Sequence, residues 1–299
     1  MKVRFGIAPI AWTNSDLPEL GGDTTLETCL AESREAGFSG TETGVKFPMD
    51  AASLGSVLQC FALKLVSGWF SGELLEHSVN EEKDRIEAQL ATFKALGAKV
   101  LVYAETTGSV QSRIDAPLSS RPRLTAEQFQ LYGRKLTALA EHMAERGVCM
   151  TYHHHMGTVV ETQREINLLM ENTGAAVGLL IDTGHLTYAG ADVLETTRRH
   201  ARRINHVHCK DTRAAILKTA RRNDQSFLRA ILDGVFTVPG DGFIDYYAFA
   251  RVLADIGYEG WAVVEAEQDP VKAPPLEYSR IGLQHLKAAF VAAGFDIVK

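Results

Sequence analysis

Cysteine is scarce in this chain and scattered: Cys29, Cys60, Cys149 and Cys209 contain no C-x-x-C pair. No disulfide framework or paired-cysteine site is read from such spacing. The four are expected to be reduced and mostly buried, in a cytoplasmic protein, because three of them fall in apolar strand or helix patterns. Positive charge is not in excess either. The 31 Lys and Arg face 37 Asp and Glu, for a net charge of -6, which argues against a nucleic-acid backbone as partner. No apolar run approaches the roughly 18 residues of a membrane span. The first residues read as a strand rather than as the basic and apolar regions of a secretory leader. Neither a G-x-G-x-x-G turn nor a Walker A motif occurs, so the open dinucleotide-binding sheet and the main phosphate-binding loop both lose their signature.

What is present is a rhythm. Short apolar runs alternate with longer amphipathic stretches from end to end, in a composition that is 45% hydrophobic and 23% charged, ordinary for a globular protein. Eight strands are expected, at residues 3–12, 40–43, 64–69, 100–105, 148–153, 177–182, 204–208 and 262–265. Between them, Tyr132, Leu136, Leu139 and Met143 recur at helical intervals within 125–146, and Gly147 stands where a helix C-cap belongs. Gly97 after 80–96 and Gly257 after 246–256 repeat that grammar, and Asp23, Thr24 or Thr25 can cap a first helix that ends before Gly37. Repeated βα units without a composition break predict one closed (β/α)8 barrel over residues 1–299. Two long connections, 106–123 and 212–245, would follow strands and lie at the barrel's C-terminal mouth.

Polar residues gather at the strands' C-terminal ends. Glu42, Glu105, His153-His154-His155, Asp182 with His185, His206 with His208 and Lys210, and Glu265 with Glu267 all stand there. In a closed barrel these ends meet at one mouth, making an oxygen- and nitrogen-rich site suited to a divalent metal. Side chains at i and i+2 leave the same face of a strand, so His206 and His208 share one space, as do His153 and His155, with His154 turned away. Each element also has a plainer reading. Glu42 and Glu105 can be loop anchors, His206 can be a support beneath His208, and Lys210 can be a salt bridge to Asp211 or Glu265. Asp182 follows Gly-Leu-Leu-Ile and Glu265 follows Trp-Ala-Val-Val; a carboxylate buried there needs a partner. Trp12 and Trp69, at strand ends, can stack on a substrate ring or simply pack. Asp241 and Gln268 would lie on mouth loops, binding substrate hydroxyls or making turns.

The spacing of Asp182, His185, His208 and Glu265 resembles the metal site of the xylose-isomerase-like barrels. The runs Y-H-H-H-M-G-T, I-D-T-G-H, H-V-H-C-K-D, F-T-V-P-G-D-G and V-V-E-A-E-Q-D-P are together similar to the inosose dehydratase family of inositol catabolism, from Gly6 to the last helix. The resemblance implies a barrel, Mn²⁺ or Co²⁺, a requirement for reduced glutathione, and removal of water from 2-keto-myo-inositol (scyllo-inosose) to give 3D-trihydroxycyclohexane-1,2-dione. It implies Asp182, His208 and Glu265 as metal ligands and His185 as a neighbouring or substrate contact. Many sugar epimerases of the superfamily carry a glutamate ligand where this chain has His153, which leaves the fourth ligand open, with His153 the candidate and His155 or Glu105 able to replace it as a functional group.

Such a dehydration needs a Lewis acid on the carbonyl, a base for the carbon acid and an acid for the departing hydroxide. His153, His155 or a carboxylate such as Glu265 is expected as base, and Lys210 or His185 as acid. Trp12, Glu42, Trp69, Glu105, Asp241 and Gln268 are the expected substrate contacts. The rival reading on the same barrel is a sugar isomerase or epimerase, which shares the enolisation. A polyol-binding protein without catalysis is the alternative from another class. A small polyol ketone is the expected partner, without nucleic acid or membrane. A homo-oligomer is compatible with the sequence but has no direct sign in it.

Overall fold

The computed structural model describes residues 1–298. Its strands are β1 (Lys2–Ile7), β2 (Gly40–Thr41), β3 (Lys64–Leu65), β4 (Trp69–Gly72), β5 (Val100–Glu105), β6 (Cys149–His153), β7 (Val177–Asp182), β8 (Ile204–Cys209), β9 (Asp211–Thr212), β10 (Phe236–Thr237), β11 (Gly260–Val264) and β12 (Asp296–Ile297). The main sheet runs β3-β2-β1-β11-β8-β7-β6-β5-β4, with parallel pairing throughout. Strands β3 and β4 are the two halves of one barrel strand. Thr43 N donates to Ser67 O on one side and Val102 N to Gly68 O on the other, both at 3.0 Å, so the sheet curls into a closed (β/α)8 barrel. The break falls at Gly68, where a Cβ would meet Thr43 Oγ1 at 1.9 Å; the chain passes too close to β2's exit for any other residue.

The expected strands at 100–105 and 177–182 are met residue for residue, but the first is shorter than expected. After Ile7 the chain turns into a 3-10 helix, Pro9–Ala11, because Pro9 has no N–H for a ladder. The helix grammar holds: Gly37, Gly97, Gly147 and Gly257 all carry positive φ just past helices, and Thr25 rather than Asp23 or Thr24 caps the first. The connection 212–245 is no bare loop. It folds into helices Ala214–Arg222 and Phe227–Leu232 and the β9–β10 ladder. All four cysteines are free, but only Cys29 and Cys209 are buried. Cys60 ends a surface helix and Cys149 starts β6 at its exposed bottom end. Among the described residues no helix is long and apolar enough to cross a membrane.

Strand parity divides the chemistry. Leu101 and Tyr103, Met150 and Tyr152, Leu179 and Ile181, and Val207 and Cys209 join the apolar layer under the helices. The alternate residues therefore point into the barrel: Thr151 and His153 on β6, Leu180 and Asp182 on β7, His206 and His208 on β8. Register sets their height, since Asp182 pairs with His208 and His208 with Val263, two residues before Glu265.

Candidate active site

A cavity of about 490 Å³ opens at the C-terminal mouth. Glu42, His155, His208, Glu265 and Glu267 are among its polar lining residues, and Trp69, Pro48, Met49, Leu54 and Phe93 among its apolar ones.

Four side chains converge at its floor. One ligand atom each from His153, Asp182, His208 and Glu265 lies within 4.8 Å of the others. Asp182 divides its oxygens. Oδ1 caps the helix Thr183–Ala189 by accepting from His185 N at 2.8 Å, while Oδ2 is buried without a hydrogen bond. His208 Nδ1 and Glu265 Oε2 approach closely, out of hydrogen-bond alignment, and both lack a partner. His153 Nδ1 donates to His154 O at 2.7 Å, which turns Nε2 inward, 3.7 Å from Asp182 Oδ2. Buried polar atoms are normally paired. Three such atoms aimed at one point, with two carboxylates and two imidazoles in the set, fit a divalent metal.

The layer behind supports this set. Glu42 Oε1 lies 3.1 Å from His208 Nε2 and 2.9 Å from His206 Nε2, and Ser67 donates to the same oxygen. A carboxylate on Nε2 fixes the tautomer that leaves Nδ1 a lone pair. Burial pushes the Glu42 carboxyl up, but His208 and His206 prevail and hold it well below the usual range. Burial pulls His208 down, while Glu265 and Glu42 carry it well above an ordinary histidine, a field that equally favours a metal cation.

Lys210 is fully buried beside this centre. Its Nζ lies 2.8 Å from Glu267 Oε2, 3.0 Å from His185 Nε2, 3.3 Å from Glu265 Oε1 and 3.7 Å from Asp182 Oδ2. Burial disfavours its charge, yet the carboxylates of Glu265, Glu267 and Asp182 raise its pKa above the ordinary lysine value. The lysine stem crosses Gly184, where a Cβ would meet Lys210 Cγ at 2.5 Å, and this accounts for the glycine of I-D-T-G-H. Asp211 takes no part, its carboxylate being filled by the N–H groups of Thr212, Gly240, Gly242 and Ile244.

Of the residues expected at the site, the structure gathers His153, His155, Asp182, His185, His208, Lys210, Glu265, Glu42 and Trp69. Burial, with His153 and Lys210 nearby, keeps His155 well below the ordinary histidine pKa. Its Nδ1 donates to Met156 O at 2.9 Å, leaving Nε2 a lone pair. His185 sits deeper, against Phe227 and Phe236. Four expected contacts fall outside the cavity lining. Trp12 is packed in the core, its Nε1 donating to Glu32 at 2.6 Å, because the 3-10 turn carries it past the mouth. Glu105 shares the outward parity of Leu101 and Tyr103, and its carboxylate accepts from Leu74 N and Thr107 N. Asp241 is clamped by Arg213 and Thr237, and Gln268 donates to Thr237. Glu267 was placed at the mouth by the sequence but given no role there. Its signal was there: it stands at i+2 from Glu265, hence on the same side.

A family model described as xylose isomerase-like TIM barrel matches residues 30–289. A rhizopine catabolism protein of Rhizobium meliloti is 51% identical over 297 residues, 99% of this chain and 91% of that one. An inosose dehydratase of Geobacillus thermodenitrificans is 44% identical over 288 residues, 96% of this chain and 97% of that one. Among solved structures, an L-ribulose 3-epimerase aligns with a TM-score of 0.68 at 18% identity, over 97% of this chain and 95% of that one. A probable 3-DHS dehydratase from Bacillus anthracis aligns at 0.69 and 14%, over 95% and 98%. At those identities the structural matches speak for the fold alone.

Proposed function

The chain belongs to the xylose isomerase-like TIM barrel family, and from that we propose a hydro-lyase of inositol catabolism, removing water from 2-keto-myo-inositol to give 3D-trihydroxycyclohexane-1,2-dione at a divalent metal centre. The relatives named inosose dehydratase, 41–44% identical over nearly the whole chain, support the reaction class. The single observation that carries the metal is the convergence of Asp182 Oδ2, His208 Nδ1 and Glu265 Oε2, none hydrogen-bonded, beside His153. A divalent ion such as Mn²⁺ or Co²⁺, bound there, would supply Lewis acidity toward a ketone.

The protein's own groups do the rest. His153, Asp182, His208 and Glu265 would hold the ion, and Glu42 would keep His208 in its liganding tautomer. His155 lines the cavity, is neutral, and offers Nε2 as the base for the proton next to the ketone. The β-hydroxyl then leaves as water with a proton delivered through Glu267, which lines the cavity and takes a hydrogen bond from Lys210. Proton and hydroxyl lost together leave an enol of the 1,2-dione, which tautomerises to product. Trp69, packed edge-on to His153 and His155, walls the reacting centre from water.

The test is to incubate metal-loaded protein with scyllo-inosose and reduced glutathione, which the resemblance implies, and follow the dione's absorbance. Growth of the absorbance with loss of one water by mass spectrometry is expected. Interconversion of ketose epimers without water loss would place the protein with the epimerases instead. The 51% identity to a rhizopine catabolism protein supports a second substrate set, so ketones of that route belong in the same assay.

A further inference from the structure

A second group of ligand-type atoms lies beside the first. One nitrogen each of His155 and His185 and one oxygen of Glu267 fall within 4.8 Å of each other, all buried. We propose that the ammonium of Lys210 is a built-in second cation, occupying the cage that these residues form and holding the protein to one divalent ion per chain. The inference rests on the metal centre proposed above.

Lys210 collects acceptors as a metal collects ligands. An ammonium donates only and accepts nothing, and the atoms around Nζ are His185 Nε2 at 3.0 Å, Glu267 Oε2 at 2.8 Å, Glu265 Oε1 at 3.3 Å and Asp182 Oδ2 at 3.7 Å. Two of them belong to the second group. The other two come from carboxylates that also face the first centre, so Asp182 and Glu265 lie between the two positions. The ring of Phe236, 4.9 Å from Nζ, closes the far side. Charge agrees: the ammonium faces the carboxyl groups of Asp182, Glu265 and Glu267 at once, so the negative potential that would draw a second divalent ion is already met by a cation. The missing Cβ at Gly184, which clears the path of the Lys210 stem, is what makes room for this cation.

The experiment compares wild type with Lys210→Met and Lys210→Arg. Each is stripped, equilibrated with excess Mn²⁺, freed of unbound ion, and read by elemental analysis and electron paramagnetic resonance. One ion per chain is expected for wild type and Lys210→Arg. Two are expected for Lys210→Met, with the spectral signature of spin-coupled manganese. Adding Glu267→Gln to Lys210→Met should return the count to one. Two ions on wild type, or one on Lys210→Met, overturns the assignment. If Lys210→Met folds only when refolded with Mn²⁺, two ions in the recovered protein support the inference, and one ion or no recovery overturns it. Wild type with no ion would overturn the metal centre as well, whereas one ion on both proteins would overturn only the role of Lys210.

Discussion

Glu42 Oε1 lies 3.1 Å from His208 Nε2, so the residue at the exit of β2 orients a ring supplied by β8, on the far side of the sequence. The opposite nitrogen of that ring meets Glu265 and faces Asp182. A carboxylate behind an imidazole raises its basicity and fixes its tautomer. Glu42→Gln should therefore weaken Mn²⁺ affinity roughly 10- to 100-fold, read by titration of stripped protein. Unchanged affinity would remove Glu42 from the ion's support.

Asp182 can be dissected because its oxygens have separate duties. In Asp182→Asn the Oδ1 that caps the helix Thr183–Ala189 survives, while the second oxygen becomes an amide. This variant, like His208→Ala, is expected to lose ion and turnover together. Its melting temperature without metal should stay near wild type, since the cap, ordinarily worth about 1 kcal/mol, is kept. Full occupancy in either variant would break the ligand assignment.

His155 differs from the ligands in what it should leave behind. His155→Gln is expected to keep the first ion while kcat falls by roughly 10²- to 10⁴-fold, the ordinary range for a general base. A variant of undiminished kcat would hand the base to another group.

Glu105 ties stability to pH. Burial pushes its carboxyl from 4.5 to about 7, with the N–H groups of Thr107 and Leu74 opposing. Between those values the folded protein holds a proton that the unfolded chain has released, so stability falls as pH rises from 4.5 to about 7. The displacement corresponds to about 3 kcal/mol. Glu105→Gln should flatten that decline, as measured by denaturant unfolding across the interval. A variant with the same slope as wild type would assign the decline to other groups.

Parity explains most of what could be read ahead of the structure. Placing His206 with His208, and His153 with His155, needed only the two-residue period of a strand, and the structure puts each pair on the inner face. The same rule applied to β5 would have removed Glu105, which falls with Leu101 and Tyr103 on the outer face. It would also have given Glu267, already placed beside Glu265, a part in the site. Trp12 was misplaced for a different reason: Pro9 ends β1 early, and the ensuing turn buries the indole.

By itself, then, the sequence determined the alternation of elements, the glycine stops and the inward set of each strand, because these are local consequences of side-chain spacing and backbone freedom. The tertiary structure decided which carboxylate serves which cation. His206 meets Glu42 across 164 positions, and Lys210 meets Glu267 across 57. Such pairings depend on barrel closure and strand register, which bring distant strand ends to one level, and no local rule reaches that far.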